Sequence, residues 1–130
     1  MADIRILPVT DKDQTVVVRT TANATAIAVN DAVEYDTDGI KVKVADASNS
    51  GQVVCGIALD ASSAASTDIR VVTHGVATVA TSSATAGSVL DVHSTAGTLT
   101  DDAAASGSGH SSLIALTATS GGTSLVKVNC

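Results

Sequence analysis

Three histidines (His74, His93, His110), two cysteines (Cys55, Cys130), many serines and a few paired aspartates are the residues with chemistry to offer in this 130-residue chain. A zinc site draws its ligands from short spacings such as HxxxH or CxxC. The histidines stand far apart, and the cysteines lack any CxxC spacing. Scattered surface histidines are the plainer reading. Gly107-Ser108-Gly109-His110 has a superficial likeness to a nucleophile with its base. However, it lacks the Gly-x-Ser-x-Gly elbow and lies in an Ala/Ser/Gly stretch that cannot hold a nucleophile rigidly. Asp36-Thr37-Asp38-Gly39 begins like a calcium loop. Lys41 and Lys43 then follow, where a calcium loop needs further oxygen ligands and a terminal glutamate. It reads as a turn, and Asp101-Asp102 reads as another. Gly121-Gly122 joins two apolar strands, so it is not a phosphate-cradling loop before a helix. No catalytic residue, metal site or cofactor site is therefore expected, and the chain does not read as an enzyme.

The cysteines leave two readings open. Cys55 falls on an apolar strand beside Gly56, and Cys130 is the last residue, expected on a mobile tail. An intersubunit Cys55–Cys130 bridge formed in an oxidising medium would lock an assembly. The alternative is a buried Cys55 and an incidental terminal thiol.

The elements that carry these residues repeat. Val54-Cys55-Gly56-Ile57-Ala58-Leu59, a small-residue turn and Asp68-Ile69-Arg70-Val71 return as Leu113-Ile114-Ala115-Leu116, a turn and Leu125-Val126-Lys127-Val128. Ile57 matches Ile114 and Arg70 matches Lys127, both at a spacing of 57 residues. Around these hairpins the pattern is strand and turn. Ala32–Tyr35 pairs with Ile40–Val44 across a turn at Gly39. Val53–Leu59 leads through Asp60–Thr67 to Ile69–Val72, and Val76–Val79 follows a bulge or bend at Gly75. The second half answers with Ala86–Asp91, a turn at Gly97, Thr98–Thr100, a loop over Asp101–Gly109, and the last hairpin. Thr15–Thr20 is a further strand, and no segment has helical caps with an apolar stripe. Ala61–Ala65 and Asp102–Ala105 have room for single helical turns. The predicted fold is all-β: a small antiparallel barrel or sandwich with a repeated hairpin unit and an extended N-terminal arm. Residues 1–25 form the arm and first strand. Residues 26–130 form one β domain of two related halves, about 26–80 and 81–130.

Composition limits the function classes. There is no Trp, no Phe and one Tyr, so Val, Ile, Leu and Ala must fill the core. Aromatic side chains bury the most area each, and subunit association is a common way to bury more apolar surface. The net charge is −6, with seven basic residues scattered along the chain. Phosphate backbones need clustered cations, so nucleic acid is not an expected partner. No run reaches the roughly 18 apolar residues of a membrane span, and the first residues lack a secretory signal. Synthesis and retention in a cytosol, with release by lysis, is the expected course. A repeated hairpin of chemically inert residues suggests a scaffold that presents surface.

The block Gly56–Val76 runs Gly-Ile-Ala-Leu, an Ala/Ser turn, a strand of alternating valines and Gly-Val. With the strand entries Ala86-Gly87-Ser88-Val89 and Val29-Asn30-Asp31-Ala32-Val33, it resembles the small capsid decoration (cement) proteins of tailed bacteriophages. The resemblance covers roughly residues 26–128, with Ser88 where the family often has Asp. It implies a small β subunit that sits as a homotrimer on the outer surface of the expanded head. There it would bind the major capsid protein and tie neighbouring capsomers together, with no cofactor. It also makes an N-terminal arm of Ile4, Arg5, Ile6 and Leu7 the candidate contact with the shell. An ordinary first strand is the competing reading of that segment. A tail or fibre module, or a surface adhesin, is the competing reading of the whole chain.

Overall fold

Val and Thr dominate the periodic segments, and β-branched side chains favour the extended backbone of a pleated, half-buried sheet. The computed structural model describes residues 14–47, 54–101 and 113–130. Nine strands lie among them: β1 (Thr15–Thr20), β2 (Ala32–Tyr35), β3 (Val42–Val44), β4 (Val54–Ala58), β5 (Asp68–Ser83), β6 (Asp91–Val92), β7 (Leu99–Thr100), β8 (Leu113–Ala115) and β9 (Thr123–Asn129). They join in the order β3-β2-β4-β5-β7-β6, with β1 and β9 also on β5 and β8 on β9. All pairs are antiparallel except β5–β7. The described residues contain no helix. Ala61–Ala65 is not a helical turn, because Ser62 exchanges backbone hydrogen bonds with Ile27. The all-β, antiparallel expectation holds. The sheet curls until Thr21 bridges Val42, but a single isolated bridge does not close it into a barrel.

The core has two parts, on opposite faces of the β2–β4–β5 layer. Neighbouring residues in a strand point to opposite faces. Val33, Cys55, Ala58 and Val71 enter one cluster, with Ile27, Val42 and Ile69. Ala32, Val54, Ile57 and Val72 enter the other, with Leu90, Leu99, Leu113 and Val126. All five residues of β4 are consequently buried. Each fully buried Val, Ile or Leu contributes about 1.5–3 kcal/mol relative to exposure, so the sum over many aliphatics replaces the missing aromatics.

β5 connects the two parts. On one flank β1 pairs with it from Asp68 to His74. On the other flank β4 pairs at Val71 and Val72, and β9 takes over from His74 to Ala80. The ladder reaches the last residue, since Cys130 N–H donates to the Thr73 carbonyl at 2.8 Å. The tail is thus held in place, contrary to the mobile end expected from sequence. The bulge or bend expected at Gly75 does not interrupt the strand: Gly75 pairs with Val128 inside one continuous 16-residue strand. The irregularity is present beside it, since Gly75 has φ 108° and Thr73 is an extra residue opposite β1, where Thr15 faces His74 and Val16 faces Val72.

The hydrogen bonding repeats with the sequence. Glu34↔Lys43 and Tyr35↔Val42 recur 57 residues on as Asp91↔Thr100 and Val92↔Leu99. Asn30 N–H to Ala58 O recurs as Gly87 N–H to Ala115 O, and Ala58 N–H to Asp31 O as Ala115 N–H to Ser88 O. Asn30 and Gly87 both adopt positive φ, at 77° and 88°. Gly97 docks one unit on the other. Its N–H donates to Ala45 O and its carbonyl accepts from Ala32 N–H, each at 2.8 Å. A Cβ there would lie 2.5 Å from the Asp31 carboxyl carbon.

The hairpins depart from strict repetition. Ile57 pairs with Val72, but Ile114 pairs with Lys127, because the second connection is two residues shorter. Leu59 N–H bonds to Arg70 O, whereas Leu116 N–H bonds to Leu125 O. Leu125, and not Lys127, therefore occupies the place of Arg70, although the sequences align without a gap. The hairpin mouths are capped alike. An Asp60 oxygen accepts Arg70 N–H at 2.9 Å, and the Thr117 hydroxyl accepts Leu125 N–H at 3.0 Å. Asp60 also takes Arg70 Nη2 at 2.8 Å.

Three outcomes are expected. A Cβ at Gly56 would lie 2.3 Å from Val71 Cγ1 and 2.6 Å from the Val72 carbonyl oxygen. Gly56→Ala should cost about 3 kcal/mol or more in chemical unfolding. Gly39→Ala, at φ 72° with open space around it, should cost only about 1 kcal/mol. The Arg70 side chain and backbone hold the Asp60 carboxyl down from 3.8 to about 2. The unfolded chain takes up that proton first, so Asp60 stabilises the fold above pH 3.8, and this contribution is lost as pH falls towards 2. Asp60→Asn should lower the thermal midpoint at pH 6, and the gap to the parent should close near pH 2. A gap unchanged with pH would contradict the assignment.

Candidate functional site

The handover on β5 creates a cleft. β4 stays beside β5 only as far as Val72, and β9 arrives at Thr73, so Cys55 and Cys130 come from the two strands that diverge there. The cleft has a volume of about 360 Å³. β1 contributes Val17 and Arg19, β2 Tyr35, β4 Val54 and Cys55, β5 Thr73 and His74, and β9 Asn129 with Cys130 beyond it. The Arg19 guanidinium lies 6.0 Å from the Tyr35 ring centroid, at cation–π range, and its Nη2 is 3.4 Å from the phenol oxygen. The single tyrosine of the sequence thus braces the only Lys or Arg lining the cleft among the described residues.

The groups here are poorly armed for catalysis. Burial, with a smaller contribution from Cys130, pushes the Cys55 thiol up from 9.0 to about 12. Cys130 is exposed as a residue, yet the partial enclosure of its thiol raises it to about 11. Nucleophilic cysteines have lowered values that keep the thiolate populated, so both shifts run in the wrong direction. His74 Nδ1 lies 3.1 Å from the Thr73 hydroxyl. His93 is elsewhere, its Nδ1 accepting Thr95 N–H at 3.0 Å in a turn. His110 lies outside the described residues. Among the described residues, no three His, Cys, Asp or Glu side chains converge as a metal site. In the turn once comparable to a calcium loop, Asp38 accepts the N–H groups of Ile40 and Lys41, each at 2.9 Å, and Asp36 pairs with Lys43 at 3.2 Å. Those carboxylates hold the turn together.

A second candidate is a surface. Along Thr15–Thr20, β1 pairs with β5 alone among the described residues, and Val16 and Val18 are 43% and 60% exposed. A strand edge with outward apolar side chains is a template for a partner. Sequence reasoning missed these two residues, because a run of three valines reads equally well as a strand buried on both faces, as β4 is. The arm residues Ile4, Arg5, Ile6 and Leu7 lie outside the described residues, a few positions before β1. The two cysteines, for which the sequence leaves open an intersubunit bridge or a buried Cys55 with an incidental terminal thiol, line one cleft within the chain, Cys55 buried, Cys130 exposed and both thiols free.

No family model matches the chain, and no curated protein matches it. Among solved structures it is similar to a chain from the capsid of Myoviridae phage XM1, with a TM-score of 0.70 and 20% identity. The likeness covers 99% of this chain and 94% of that one. At this identity the two share a fold.

The thiols generate a test. In the fully reduced, native protein at pH 8, a maleimide should label the exposed Cys130, slowly because its thiol is raised to about 11. Cys55, buried and raised to about 12, should be spared until denaturant is added. Equal labelling of both in the native state would contradict the burial of Cys55.

Proposed function

We propose that this chain is a structural protein of a phage virion that binds the outer surface of the expanded capsid and stabilises it by tying neighbouring capsomers together. One observation carries the reading: a fold shared over nearly the whole length with a chain of a phage capsid. The absence of a converging catalytic or metal group among the described residues is in keeping with it. So are an acidic chain and a strand edge carrying Val16 and Val18. The partner is the major capsid protein, and the working unit is a homotrimer. The arm Ile4–Leu7 is part of the contact, continuing into the exposed face of β1.

The physics is mass action. A subunit that binds only the expanded lattice stabilises that lattice over any other. A trimer that engages several sites at once holds far more firmly than any single contact would. A few apolar side chains per subunit are then enough.

The purified protein should sediment with expanded, undecorated capsids of its parent phage. Saturation should occur at a fixed ratio to the major capsid protein, and the shells should resist higher temperature. Replacing both Val16 and Val18 by Lys should leave the circular dichroism spectrum intact and weaken binding at least about tenfold, or about 1.4 kcal/mol. No sedimentation of the folded parent protein would reject the capsid reading and favour a fibre or adhesin module. Undiminished binding of the double variant would remove β1 from the contact.

A further inference from the structure

We infer that Cys55 and Cys130 form an intramolecular disulfide that closes the cleft between β4 and β9 when the protein meets a disulfide oxidant. The inference stands apart from the capsid reading. The two thiols belong to the strands that succeed each other along one flank of β5. Both are free, and both line the same cleft of about 360 Å³. The strand end that carries Cys130 is pinned, because its N–H is bonded to Thr73 O at 2.8 Å. Cys55 sits one residue before Gly56, whose close approach to Val71 and Val72 fixes that end of β4. Each thiol is therefore carried on backbone that the fold already orders, and both line the same cleft. The link would tie the last strand to the middle of the sheet, closing a long loop in the unfolded chain.

The chemistry is thiol–disulfide exchange with a small-molecule disulfide such as oxidised glutathione. Cys130, the exposed thiol, loses its proton to solvent and its sulfur attacks the glutathione disulfide. An S–S bond forms on Cys130, the old S–S bond breaks, and one glutathione leaves as thiolate and is protonated. Cys55 then loses its proton and attacks the Cys130 sulfur, expelling the second glutathione. Two protein thiols are oxidised to one disulfide, and one glutathione disulfide is reduced to two thiols.

The full chain should be treated with oxidised glutathione and read by intact mass, peptide mapping and a non-reducing denaturing gel. The expected product is two hydrogens lighter, carries no glutathione, runs as a monomer and yields one peptide pair linking Cys55 to Cys130. Its thermal midpoint should rise by about 5 °C or more, and reductant should reverse the rise. Cys55→Ser should accumulate the glutathione adduct on Cys130 that the parent resolves. Covalent dimers would overturn the proposal in favour of a bridge between subunits. A parent protein that keeps glutathione on Cys130 with Cys55 still free would overturn it as well.

Discussion

The structure depends on one strand serving two hairpin units. β5 has only two flanks, and over Asp68–His74 one is occupied by β1, so β4 and the end of β9 that reaches this stretch share the other. They do so in succession, which requires β4 to turn away from β5 just as β9 arrives. Gly56 is where that happens. Its missing side chain lets the β4 backbone lie against the Val72 carbonyl. The register of β2 against β4 shifts at the neighbouring position, between Val33 and Glu34. Layer spacing, cleft and cysteine placement all follow from this handover.

The same constraint explains the composition. A layer buried on both faces, with two cores separated by one sheet, favours small side chains. Ala32, Ala45, Ala58, Ala77 and Ala115 are all at most 2% exposed. Polar residues enter the interior only with partners. The hydroxyls of Thr81 and Ser124 lie 2.9 Å apart, and Thr119 completes the group 2.8 Å from Thr81. What results is a stiff scaffold whose reactive groups are used as caps, turn ties and packing. Its outward features are the strand edge of β1 and scattered apolar positions on turns.

Much of this was legible in the residues. β1 and β2 fall where the alternation placed them, and the repeated spacing of 57 is obeyed by the β2–β3 and β6–β7 ladders. Other features depend on partners that periodicity does not reveal. β3 begins at Val42 and not Ile40, because Asp38 captures the N–H groups of Ile40 and Lys41 in a turn. The stretch Ala86–Asp91 yields a strand only at Asp91, since Gly87 and Ser88 bond individually to Ala115. β5 runs through Gly75, despite its φ of 108°, because the β9 ladder pairs continuously across it. The two-residue difference in hairpin register was hidden by an ungapped match. The convergence of Cys55 and Cys130 was hidden by their distance along the chain. The arm expected from the sequence lies outside the described residues. The exposure of Val16 and Val18 depends on β1 having a single partner strand.

The most direct test of the central claim is a cryo-electron microscopy difference map between expanded capsids with and without this protein. The account requires added density on the outer surface, straddling neighbouring capsomers in threefold groups, with the β1 edge turned towards the shell. Density confined to the tail, or a map with no difference over the shell, would contradict it.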